Sequence, residues 1–184
     1  MSPSQPFKLV PFEPLPPSLA LTLGGTCQRT VTRSAHSLKL HYLLEGNLDA
    51  VVIPEPSSAP SRSDGLWQST CLECFFAKPG ESAYWEMNLS PSGDWNVYQL
   101  QDYREGLFAD PSVTAISHQL DRSATGLALS ATIPLPLGLD EACQLDLAIC
   151  AVIALRDGST TYWALRHTGT VADFHRRDSF ALTV

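Results

Sequence analysis

Two groups of residues in this chain combine the side-chain types that recognise or transform a ligand. The first is Trp67 with Glu73, followed by Glu86, Asn88 and Arg104, within a stretch that runs DGLWQSTCLECFF and then YWEMNLSPSGDWNVYQLQDYREG. An indole offers a flat apolar face, and carboxylates, amides and guanidinium groups offer the acceptors and donors that a hydroxyl-rich ligand needs. Together they describe a saccharide site, in which the CH face of a pyranose stacks on the aromatic ring and its hydroxyls are matched one by one. The same residues also fit a structural reading, with Trp67 plugging the end of the fold and the carboxylates solvated. The second group is His167, Asp173 and His175 in ALRHTGTVADFHRRDSF. Two imidazoles and a carboxylate can hold zinc or iron if they converge, but their spacing is that of a loop, and local hydrogen bonding accounts for it equally well. Cys71 and Cys74 stand three apart, which on a strand places them on opposite faces and excludes a shared metal without a knuckle.

The strands that must position these groups are written by alternation. Thr70, Leu72, Cys74 and Phe76 form one side of a strand and Ser69, Cys71, Glu73 and Phe75 the other, the first set being the expected core face. Over residues 84–89 Trp85, Met87 and Leu89 separate from Tyr84, Glu86 and Asn88, which is the pattern of a half-buried antiparallel strand. The break at Ser90-Pro91-Ser92-Gly93-Asp94 predicts a hairpin between 84–89 and 94–101, with Glu73 and Glu86 on one face. Those two carboxylates are the form an enzyme reading takes, as a glycosidase pair. No nucleophile elbow, phosphate loop or dinucleotide fingerprint accompanies them.

Elsewhere the pattern predicts strands over residues 7–12, 29–33, 37–44, 48–53, 112–120, 127–133, 161–165 and 180–184. Glu45-Gly46-Asn47 is expected to join 37–44 and 48–53 as a hairpin, and residues 54–63, rich in Pro and Ser, to form a surface loop. Residues 101–108 read as a helical turn or a bulged connection. Residues 145–155 are nearly all apolar and are expected to be a central strand buried on both faces. With no repeat and no 3.6-residue stripe, the chain of 184 residues reads as one antiparallel β-sandwich of jelly-roll or immunoglobulin-like type spanning 1–184. The net charge of −7, with no basic stripe, argues against nucleic acid and anionic membrane as partners. The start of the chain lacks the features of an export signal, so a cytoplasmic protein is expected, with its five cysteines as thiols.

The runs LWQSTCLECFF, YWEMNLSPSGDWNVYQLQDYREG and YWALRHTGTVADFHRRDSF resemble those of uncharacterised bacterial DOMON-like domains related to family-nine carbohydrate-binding modules. The resemblance covers nearly the full chain. It implies a β-sandwich whose relatives bind sugars or, in another branch, haem; calcium is a further cofactor implied by resemblance alone. It also implies that Trp67 and Glu73, six residues apart, help to hold a sugar, with a second aromatic clamp toward the C-terminus that either Trp163 or Phe174 would supply. A haem reading would use Met87 or a histidine as axial ligand. The expected function is therefore a non-catalytic module for a saccharide or saccharide-bearing metabolite. The alternatives are a protein-interaction scaffold presenting exposed tryptophans, a haem-binding module, or a glycoside-acting enzyme. The oligomeric state stays open.

Overall fold

A computed structural model describes residues 3–32, 35–137, 139 and 143–184. Its elements in chain order are β1 (Gln5–Pro11), β2 (Thr22–Thr32), β3 (Ala35–Glu45), β4 (Cys71–Ala77), β5 (Tyr84–Leu89), β6 (Trp95–Leu100), β7 (Phe108–Ala109), β8 (Ser117–Arg122), β9 (Gly126–Pro134), β10 (Asp146–Ala154), β11 (Thr160–Ala164) and β12 (Leu182–Thr183), with short 3₁₀ turns at Leu48–Ala50, Leu66–Gln68 and Arg177–Ser179. All strand pairs are antiparallel. The order β7-β6-β5-β4-β10-β11-β1-β2-β3-β9-β8 folds over on itself through β1, whose Gln5–Leu9 half pairs with β2 and whose Val10–Pro11 end pairs with β11. The result is the expected all-β antiparallel sandwich: β1, β2, β3, β8 and β9 form one sheet, and β4–β7 with β10–β12 form the other.

Alternation explains which residues meet between the sheets. Leu72, Cys74 and Phe76 of β4, Trp85, Met87 and Leu89 of β5 and Leu147, Ile149, Ala151 and Ile153 of β10 pack in a core against Leu23, Leu38, Leu40, Tyr42, Leu44, Leu129 and Ile133 of the facing sheet. Trp85, 4% exposed, stacks parallel on Phe76 with centroids 6.0 Å apart and donates its indole N–H to Asp110 Oδ2 at 2.9 Å. Met87 is fully buried in this core. Tyr42 crosses the core to donate its hydroxyl to the backbone carbonyl of Glu73 at 2.7 Å, tying the facing sheet to the middle of β4.

The opposite face of the β4–β5–β6–β10–β11 sheet is not open to solvent, as a strand half-buried on one side would leave it. Phe75, Ala77, Tyr84, Tyr98, Leu100, Ala148, Cys150 and Val152 form a second apolar cluster with Phe174 and Phe180 from the segment after β11. Phe75 is its centre, with ring centroids 6.2 Å from Tyr84, 6.5 Å from Phe174, 5.0 Å from His175 and 6.3 Å from Phe180. Burying each such ring stabilises by roughly 1.5–3 kcal/mol, so the segment after β11 is held on the sheet by its own aromatics. β10, buried on both faces as expected, is the strand where the two cores meet.

Three expectations are corrected. Residues 48–53 do not form a strand paired with β3: Leu48–Ala50 is a 3₁₀ turn, Val51 makes a single bridge to Leu155, and β3 pairs with β2 and β9. The apolar run there serves burial, with Leu48 and Val51 in the core. Residues 112–120 are strand only from Ser117 onward, continuing to Arg122. Residues 101–106 form neither a helical turn nor a bulge but a tight reversal, in which Gln101 N–H donates to Glu105 O at 3.0 Å and Arg104 adopts φ +56°. None of the five cysteines is in a disulfide. Among the described residues no helix is long and apolar enough to cross a membrane.

Candidate functional site

A cavity of about 340 Å³ opens on this second face, lined by Trp67, Glu73, Phe75, Glu86, Leu100, Arg104, Leu107, Val152, Tyr162, Ala172, Asp173, Phe174 and His175. Its volume is within the range of small-molecule sites. Three of its parts are built by different local rules.

The floor comes from strand register. Glu73 on β4 lies opposite Asn88 on β5, and Glu86 lies opposite Phe75, so the two carboxylates are diagonal neighbours on one face. Glu73 is 2% and Glu86 4% exposed. Asn88, wholly buried, donates its amide to Glu86 Oε1 at 2.8 Å, and the Cys150 thiol lies 3.9 Å from Glu73 Oε2. Among the described residues, Glu73 Oε1 and Glu86 Oε2 find no hydrogen-bond partner. Burial raises the Glu73 carboxyl well above the usual carboxylate range and the Glu86 charge raises it further, against weak hydrogen bonding from the Cys71 and Cys150 thiols. Glu86 is also raised by burial, opposed by the Asn88 amide and the charge of Arg104.

The wall comes from the 101–106 reversal and the segment after β11. The left-handed backbone at Arg104, costly for a residue with a Cβ, turns its N–H onto the Tyr84 hydroxyl at 3.1 Å. The Tyr84 hydroxyl is also hydrogen-bonded to His175 Nδ1 at 2.8 Å, and His175 Nε2 lies 4.0 Å from Glu86 Oε2. Burial, with the nearby Arg104 charge, pushes the His175 pKa down to about 4 against the opposing pull of Asp173. Asp173 accepts from the Tyr103 hydroxyl at 2.6 Å, the Arg104 guanidinium at 3.0 Å and the His175 N–H at 3.1 Å. Burial works against its charge, yet these three donors hold its pKa below the usual value.

The mouth is aromatic. Gly65 at φ +71° starts the 3₁₀ turn that carries Trp67, and Asp64 in the same loop accepts from Tyr98 at 2.6 Å and Asn96 at 3.0 Å. Trp67 meets the Tyr98 ring edge-on at 6.1 Å and is 40% exposed; Tyr162, on β11, is 41% exposed.

Of the residues singled out from the sequence, Trp67, Glu73, Glu86, Arg104, Asp173 and His175 line this one cavity. Asn88 lies beneath it as the partner of Glu86 rather than on its surface. His167 does not line it: its Nε2 is 3.0 Å from Val10 O and its ring packs edge-on to Phe12, 5.2 Å away. Among the described residues no group of three His, Cys, Asp or Glu side chains is arranged to hold a metal ion, so His167, Asp173 and His175 do not converge as a metal triad. Of the two candidates for a C-terminal aromatic, Trp163 is 2% exposed and packs between the sheets, whereas Phe174 lines the cavity. The aromatic that sequence reasoning missed is Tyr162. Its signal was present, because assigning Trp163 to the core obliges its neighbour to point the other way.

No family model matches the chain, and no curated protein matches it. Among solved structures it is similar to a candidate carbohydrate-binding protein from Bacteroides uniformis, with a TM-score of 0.63 and 12% identity over 96% of this chain and 83% of that one. Two further similarities are to a family-nine carbohydrate-binding module from Caldicellulosiruptor kristjanssonii. Its complex with cellotriose aligns at TM-score 0.44 and 12% identity over 79% of this chain and 65% of that one. Its complex with glucose aligns at TM-score 0.34 and 15% identity, over 73% and 69%. The Bacteroides protein shares the sandwich along nearly the whole of this chain, and at that identity the likeness is one of fold.

Proposed function

We propose that this protein is a non-catalytic saccharide-binding module and that the cavity between Trp67 and Tyr162 is its site. The observation that carries the reading is the pairing of two half-exposed aromatic rings at the mouth with a floor of buried hydrogen-bonding groups. A sugar ring supplies the apolar face that the rings take and the hydroxyls that Glu73, Glu86, His175 and Arg104 can match. The fold shared with a candidate carbohydrate-binding protein supports the same reading. The scaffold alternative loses most of its anchors, since Trp85, Trp95 and Trp163 are buried and Trp67 is the one tryptophan presented to solvent.

The test is calorimetric titration with a panel of mono- and disaccharides. Trp67→Ala is expected to weaken every sugar that binds, by about 1–3 kcal/mol for the lost stacking area. Glu73→Gln is expected to weaken them selectively by hydroxyl pattern, because a mismatched ligand leaves a desolvated group unpaired. A panel in which no sugar binds, or folded variants that bind as the parent does, would overturn the assignment.

A further inference from the structure

The floor of the cavity has one chemical peculiarity. Glu73 and Glu86 are adjacent, both are buried, each keeps an oxygen without a hydrogen-bond partner among the described residues, and the basic group that faces them is the His175 ring, 4.0 Å from Glu86 Oε2. The titratable groups around them have partners of their own: Tyr42 donates its hydroxyl to the Glu73 backbone carbonyl and Tyr98 donates to Asp64. Arg104 bonds Asp173, whose remaining acceptors go to Tyr103 and the His175 backbone. His175 is kept neutral by its burial and by the Arg104 charge, and its Nε2 stays 4.0 Å from Glu86. Asn88 gives its amide to one oxygen of Glu86 and accepts weakly from the Cys71 thiol, and the Cys150 thiol flanks Glu73 as a weak donor. Two adjacent buried carboxylates are disfavoured as a doubly charged pair; burial raises both and favours uptake of a proton in the free protein, whereas a ligand that brings its own positive charge lets both ionise.

We infer that the ligand is a saccharide bearing a protonated primary amine, an amino sugar, whose ammonium group is received between Glu73 and Glu86. An ammonium carries three donors and no acceptor, which suits two carboxylate oxygens that lack partners. It also relieves the repulsion between the two carboxylates, which a neutral hydroxyl cannot do. The half-exposed rings of Trp67 and Tyr162 favour the same ligand, since aromatic faces attract a cation as well as the sugar's CH face. The inference rests on the saccharide reading and adds the charge to it.

The experiment compares glucosamine, galactosamine and mannosamine with their parent hexoses, with their N-acetyl forms, which keep the ring but abolish the charge, and with 1,4-diaminobutane as an amine lacking the ring. The best hexosamine is expected to bind at least about tenfold tighter than its parent hexose and its N-acetyl form, the scale of a charge-assisted hydrogen bond. Glu86→Gln and Glu73→Gln are expected to abolish the advantage of the amine, so that the hexosamine binds no more tightly than the parent hexose measured with the same variant. An unchanged melting temperature keeps those variants interpretable. Hexoses and N-acetyl hexosamines binding as tightly as the amines would overturn the inference and leave the saccharide reading standing. If 1,4-diaminobutane bound as tightly as any hexosamine while no hexose bound, the ring requirement and the saccharide reading would fall together. If no member of the panel bound, both would be overturned.

Discussion

Replacing Trp85 by Ala removes the largest side chain that β5 sends between the sheets. The residue is 4% exposed, stacks on Phe76 at an interplanar angle of 5° and donates its indole N–H to Asp110. Truncating a buried large aromatic costs about 3–5 kcal/mol through lost transfer energy and the cavity left behind. Asp110 keeps its bonds from the Ser112 backbone and hydroxyl at 2.8 and 2.6 Å, so losing the indole donor adds to that cost without orphaning the carboxylate. The sum is expected near the upper end, about 4–5 kcal/mol. Trp85→Phe, which keeps a ring against Phe76 but loses the N–H, should cost about 1.5–3 kcal/mol, the scale of one hydrogen bond to a charged group. Urea unfolding followed by circular dichroism, with the slope of the transition unchanged, measures both. A loss below about 1 kcal/mol for Trp85→Ala would refute the register, because a one-residue slip would turn Tyr84, Glu86 and Asn88 into the core and the cavity floor out of the site.

Two further outcomes follow from the titratable groups. His175 has a folded pKa of about 4, below its ordinary 6.5, so between those values the native state binds fewer protons than the unfolded chain and stability falls as pH drops through that window. Relative to His175→Gln, the parent should lose at most about 3 kcal/mol between pH 7 and pH 4; a difference that stayed constant with pH would show that the ring is not buried against Tyr84. Glu73 and Glu86, whose pKa values are raised, act in the opposite sense as pH climbs above the ordinary carboxylate range, and the comparison with the variant cancels them. A thiol reagent at neutral pH should modify Cys143 first, since Cys27, Cys71, Cys74 and Cys150 are buried and burial raises their thiols, Cys27 to about 12. Fast modification of all five in the native protein would contradict the two cores.

Strand identity was legible where one face of a strand had a single destiny. Leu72, Cys74 and Phe76 alternate with Glu73 and Phe75, and the structure keeps that split between the two cores. What alternation could not show was that the second face would be covered, because the cover comes from Phe174 and Phe180, about a hundred residues further along. The warning was in β4 and β5 themselves: Phe75 and Tyr84 sit on the side that carries the polar groups, and large rings there ask for a partner. Residues 48–53 misled because an apolar run reports burial and not hydrogen bonding; Val51 is buried with a single bridge. His167 misled because a loop imidazole beside another histidine suggests a ligand pair, whereas its contacts, Val10 and Phe12, lie more than 150 residues earlier in the chain.

The middle of the second face shows where packing alone does not explain the residues chosen. Around Glu73 the same layer is filled by Cys71, Phe75, Cys150 and Val152, residues that bury with no polar demand beyond a weak thiol bond. The geometry of β4 and β5 therefore tolerates apolar side chains at the positions of Glu73 and Glu86, and a second core built only for stability would have them there. Instead the sheet carries two carboxylates whose burial costs free energy, keeps an asparagine to hold one of them, and bends Arg104 into the left-handed region to fix Tyr84 and His175 beside them. Such costs gather where a ligand must be met by groups already in place. Because Phe75, Tyr84 and Phe174 belong to both the core and the surroundings of the site, the loop that closes the cavity is held by the same contacts that stabilise the sheet. On the proposed saccharide reading, a ligand seated in this cavity is expected to stabilise the segment after β11 along with itself.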